Sequence, residues 1–78
     1  MSTQQNNILH GKTLKAILEY LIDYYGWEQL SYHIDINCFK SNPTLKSSLN
    51  FLRNKKHEWA RKQVEELYVK LIKFEEEE

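Results

Sequence analysis

Seventy-eight residues with eleven Lys and Arg against eleven Asp and Glu give a chain of zero formal net charge, long enough for one small hydrophobic core and too short for a second module. Its single cysteine, Cys38, excludes an internal disulfide and the cross-linked frameworks of small secreted proteins, which fits a reducing cytoplasm. The sequence carries neither a secretion signal nor an apolar run of the ~18 residues that span a bilayer, so no membrane partner is expected.

Residues 1–6 are polar and aperiodic and are expected to be loose. Residues 7–74 predict an all-α fold, a compact four-helix single domain with a short second helix, and 75–78 form an acidic tail. Five Tyr, three Phe and two Trp supply the bulk that so small a core needs. Thr13 is a good N-cap, and Leu14, Ile17, Leu18, Leu21, Ile22 and Tyr25 recur at the three- and four-residue spacing of a core-facing helix. Gly26 ends that helix, because glycine takes a positive φ without a Cβ penalty. Residues 27–33 predict the short second helix, with Trp27 and Leu30 against the first.

Ile34, Ile36 and Phe39 alternate with Asp35 and Asn37, but a lone extended segment has no strand to pair with. They read as a connector whose apolar side chains plug the core. Asn42-Pro43 predicts the start of a third helix, Asn42 as its cap and Pro43 as its first residue, with Leu45, Leu49 and Leu52 buried. After a polar link the last helix is expected over 58–74, with Ala60, Val64, Leu67, Tyr68, Leu71 and Phe74 inward. Glu75 to Glu78 oppose the helix macrodipole and are expected to fray. Trp27 and Trp59 fall on or beside apolar stripes and are read as core rather than as base-stacking platforms.

The charges are not evenly spread. Over 38–62, Lys40, Lys46, Arg53, Lys55, Lys56, Arg61 and Lys62 stand against Glu58 alone, while the flanking segments are acidic. Such asymmetry suits an anionic partner. On the third helix Lys46, Asn50 and Arg53 share one stripe, flanked by Ser47, and these residue types can reach phosphate oxygens and base edges. Periodicity alone favours an ordinary solvent face for that stripe. Arg61 and Lys62, however, sit in the first turn of a helix, where cations are unfavourable, as expected where function competes with stability. The start of the third helix, with Lys40 and Lys46 beside its free amides, is a further candidate phosphate seat.

Nothing comparable supports catalysis. His10, His33, His57 and Cys38 have no metal-ligand spacing. Ser47 and Ser48 lack a nucleophile elbow, and Gly11 and Gly26 are too few for a phosphate loop. No cofactor, metal or small-molecule substrate is expected.

Several short stretches occur together in order: Asn7-Ile8-Leu9-His10-Gly11, Tyr24-Tyr25-Gly26-Trp27, Ile36-Asn37-Cys38-Phe39-Lys40, Asn42-Pro43, Lys46-Ser47-Ser48-Leu49, Phe51-Leu52-Arg53 and Trp59-Ala60-Arg61. In this series the chain resembles a small bacterial DNA-binding family first described from Vibrio fischeri. The resemblance implies a four-helix motif similar to the C-terminal double-stranded-DNA-binding domain of the recombinase RecA, and it implies DNA binding without enzyme activity. Two departures stand out against the family pattern. The link Asn54-Lys55-Lys56-His57-Glu58 is longer and more basic and lacks a Pro before Trp59, and the acidic tail is additional.

The sequence thus predicts a monomeric domain that binds double-stranded DNA, mainly through phosphate contacts from Lys40, Lys46, Ser47, Asn50, Arg53, Lys55, Lys56, Arg61 and Lys62. The alternative is an interaction adaptor whose basic face docks an acidic protein.

Overall fold

A computed structural model describes residues 11–77; the expected loose segment 1–6, the first residues of the domain and Glu78 lie outside them. Within this span the chain is all-helical, with α1 over Leu14–His33, α2 over Leu45–Arg53 and α3 over Glu58–Glu77. Short 3-10 turns at Asn37–Phe39 and Lys55–His57 join them. Each helix packs against the other two.

Thr13 opens α1 as expected: its hydroxyl accepts the Ala16 N–H at 3.0 Å, satisfying a first-turn amide that has no partner inside the helix. Gly26 takes the expected positive φ, at φ 80° and ψ 162°. Gly26 is non-helical and breaks α1 at a kink, and residues 27–33 continue beyond it as a short helical segment. The kink re-aims the apolar stripe, so that Ile17, Leu18 and Leu21 before it and Leu30 after it are all buried.

The connector plugs the core as its pattern predicts. Ile34, Ile36 and Phe39 are almost wholly buried, and the Phe39 ring meets that of Trp27 at 5.6 Å. Ser48, fully buried on α2, donates to the Cys38 carbonyl at 3.4 Å, which ties α2 to the connector.

The cap of α2 is a correction. It is Thr44, two residues later than expected, whose hydroxyl accepts the Ser47 N–H at 3.1 Å. Pro43 excludes a helical conformation for the residue before it, and Asn42 instead takes φ 46°, in the left-handed region. Asn42 and Pro43 therefore form the turn that precedes the helix, and the candidate phosphate seat moves with the cap to Thr44.

Three expectations for α3 are also corrected. The helix runs on to Glu77, and Phe74 is 56% exposed. The buried line is Ala60, Val64, Tyr68 and Leu71, and a further step of four along it lands on Glu75, leaving Phe74 turned off the core. Glu75 accepts a hydrogen bond from the Tyr20 hydroxyl of α1, which holds the acidic end of α3 against the domain. Trp59, expected in the core, is 51% exposed. Its neighbour Ala60 points inward, and successive helical residues differ by about 100° in direction.

Candidate nucleic-acid interface

The first turns of α1 and α2 both lack an acidic residue and carry Lys15 and Lys46 instead. These two ends meet. Lys15, Leu45, Lys46, Leu49, Asn50 and Arg53 line one open groove of about 420 Å³. Two helix N-termini bring the positive ends of their macrodipoles toward it, each equivalent to roughly half a charge. The groove thus adds backbone potential to three cationic side chains.

Arg53 also lines a second, more recessed cleft of about 330 Å³ with Asn54, Lys55, Glu58 and Arg61. The link positions these groups locally: Asn54 Oδ1 accepts the Lys56 N–H at 2.9 Å, and the His57 N–H closes on the Asn54 carbonyl at 2.9 Å. Arg53 is therefore common to a cationic seam that runs from Lys15 to Arg61. Among the described residues lining either cleft, Glu58 is the only carboxylate.

Of the sequence-predicted residues, the fold brings together Lys46, Asn50, Arg53, Lys55 and Arg61. Lys40 lies elsewhere, in a groove with Ser31, Tyr32 and Asp35, and forms an ion pair with Asp35. Lys62 borders a groove along α3 with Glu65, Glu66, Val69 and Lys70. Ser47 is exposed, but its hydroxyl is engaged in the Thr44 cap, 2.9 Å from the Thr44 hydroxyl. Lys56 is exposed on the link and lines neither cleft. Arg61 lies 3.9 Å from both Glu58 and Glu65, loose contacts at the limit of ion pairing.

Sequence reasoning missed Lys15 because the segment around it is acidic overall. The signal that exposes it is the same one that singled out Arg61, a cation in the first turn of a helix.

Burial pushes the Cys38 thiol up from its ordinary pKa, which keeps it a protonated, weak nucleophile. Among the described residues no three His, Cys, Asp or Glu side chains gather in a way that could hold a metal, and no helix is long and apolar enough to cross a membrane.

The described residues thus form a small all-helical domain with an exposed cationic seam over two helix N-termini. Comparison with known families specifies it further: the chain matches, over residues 5–69, the family described as DNA-binding protein VF530, and it belongs to that family. The match takes in α1, α2, both 3-10 turns and α3 as far as Val69. Among curated proteins no match was found.

Proposed function

We propose that this domain binds double-stranded DNA through the phosphate backbone, with little dependence on base sequence. The observation that carries the reading is the seam itself: Lys15, Lys46, Arg53, Lys55 and Arg61 on contiguous clefts, opposed by Glu58 alone. Lys46 to Arg53 spans about 10 Å along α2 at 1.5 Å per residue, about three base-pair rises. Arg and Lys at that spacing reach phosphates about three steps apart along one strand, and Asn50 between them donates to phosphate or sugar oxygens. Counted as two segments either side of Gly26, α1 makes the domain the four-helix motif that the resemblance to the RecA domain implies. It acts as a monomer in this reading.

Fluorescence anisotropy with a labelled duplex tests the proposal. Neutralising four or five phosphates makes affinity fall about 100-fold or more between 50 and 200 mM salt. The double variant Lys46→Glu, Arg53→Glu abolishes binding at low salt while helicity is retained, since both side chains are exposed. Absence of duplex binding at low salt, or affinity indifferent to salt, overturns the reading. Retention of an acidic protein after nuclease treatment, with no affinity for duplex, would assign the seam to that partner instead.

A further inference from the structure

The recessed cleft at the link differs in chemistry from the open groove beside it. Its cations come from three separate elements: Arg53 from the last turn of α2, Lys55 from the link and Arg61 from α3. Asn54 spends its carbonyl oxygen on the Lys56 N–H, which leaves the amide NH2 as the end free to donate. The Arg61 Nε–H is buried without a hydrogen-bond partner, because the nearest carboxylate oxygen, on Glu65, is 3.9 Å away, beyond hydrogen-bonding range. That nitrogen is shut away from the cleft, but the Arg61 side chain as a whole is 41% exposed, so the outer guanidinium nitrogens are the ones that can meet the oxygens of a phosphate.

From this juxtaposition we infer that the cleft of Arg53, Asn54, Lys55 and Arg61 is a site for a terminal phosphomonoester, the phosphorylated 5′ end of a DNA strand. A backbone diester is anchored on both sides by ester bonds and carries one negative charge, so it suits the open groove. A monoester has three free oxygens and about −1.5 to −2 charge near pH 7, and it enters a recess from one side. Glu58 rests loosely against Arg61 at 3.9 Å; its single negative charge opposes any anion in the cleft, and the three cations of the lining outweigh it. The inference rests on the DNA reading for the source of the phosphate. It adds recognition of an end to binding along the backbone.

The test compares two short duplexes of identical sequence, one with 5′ phosphates and one with 5′ hydroxyls, titrated against the full chain at fixed salt. The expected result is about fivefold tighter binding of the phosphorylated duplex. Arg61→Gln brings that ratio to one, whereas Lys15→Gln, in the open groove, weakens binding of both duplexes by the same factor and keeps the ratio. By NMR, the Arg61 Nε–H signal shifts on addition of a deoxynucleoside 5′-monophosphate and does not shift with the unphosphorylated deoxynucleoside. Equal affinity for the two duplexes sinks the end-recognition site and leaves backbone binding standing. Failure to bind either duplex removes both readings. A shift produced by inorganic phosphate as strongly as by the mononucleotide, with equal affinity for the two duplexes, overturns the assignment to a DNA end.

Discussion

The His57 ring lies flat on the Phe51 ring, with centroids 3.7 Å apart and planes within 8°, while its Nδ1 stands 2.9 Å from the Phe51 carbonyl oxygen. A carbonyl only accepts, so Nδ1 carries the proton and Nε2 is the other, free nitrogen. One side chain thus fastens the link to the C-terminal turn of α2 twice, and the same link carries Lys55.

This double fastening predicts the outcome of two substitutions. His57→Ala loses both the hydrogen bond and the stack, together about 1–3 kcal/mol of stability. Phe51→Leu keeps the carbonyl but loses the stack and part of the ring's packing against the core, so its cost is of similar size. Thermal unfolding followed by circular dichroism reads the stability, and duplex titration reads the consequence for the seam. Both variants bind DNA more weakly than wild type at a temperature where both remain folded. Unchanged affinity in a destabilised His57→Ala would separate the link's geometry from binding.

Gly26 gives a prediction about the backbone alone. At φ 80° and ψ 162° it occupies a region open almost only to glycine, yet a Cβ placed there meets nothing within 4 Å. Gly26→Ala therefore introduces no clash, and its whole effect is conformational, about 1–3 kcal/mol. At about 4–8 °C per kcal/mol for a domain of this size, the melting temperature falls by about 4–24 °C. Gly11, also at positive φ and with no described atom within 4 Å of an added Cβ, precedes α1 instead of lying inside it, so Gly11→Ala shifts the melting temperature less.

These residues also show what could be read from the chain and what could not. The stripe of Ile17, Leu18 and Leu21, the cap at Thr13 and the plug of Ile34, Ile36 and Phe39 were legible, because each follows from local periodicity or local hydrogen bonding. Trp59 and Phe74 were not. Hydrophobicity says that a large ring gains from burial, but helix geometry gives the inward direction on α3 to Ala60, Val64, Tyr68 and Leu71 and leaves the rings beside it outside. The seam was half legible. Lys46, Asn50 and Arg53 share a stripe in sequence, whereas the approach of Lys15 depends on how α1 crosses α2, and the separation of Lys40 depends on its pairing with Asp35. Segment charge is blind to both.

The exposure of Trp59 has a spectroscopic consequence. Trp27 is half-buried against Phe39, so the two indoles report different surroundings. Iodide quenches the Trp59 component selectively, and Trp59→Phe shifts the remaining emission to the blue while changing stability by no more than about 0.5 kcal/mol, as for an ordinary surface position. Trp27→Phe has the opposite signature: it leaves a red-shifted, quenchable emission and destabilises the domain. A large loss of stability in Trp59→Phe would place that ring in the core after all.

The contact between Tyr20 and Glu75 gives the domain a defined response at high pH. The hydroxyl must keep its proton to donate to the Glu75 carboxylate, and that hydrogen bond, aided by the carboxylate's charge, pushes the Tyr20 pKa up to about 12. The unfolded chain titrates near 10. A pKa raised by folding means that the stabilising contribution is complete below pH 10, declines as pH rises between 10 and 12, and is gone above the folded value. The end of α3 should therefore loosen in that window, seen as a fall in helicity that Tyr20→Phe abolishes because it never forms the contact. Absorbance near 295 nm gives the complementary reading: the wild-type minus Tyr20→Phe difference titrates near 12, not near 10. Since the Tyr20 ring also meets Tyr68 edge-on at 5.4 Å, and phenylalanine keeps that packing, the variant isolates the hydroxyl. A difference curve centred at 10 would show that Glu75 swings free of α1 in solution, and the acidic end of α3 would then fray as the macrodipole alone dictates.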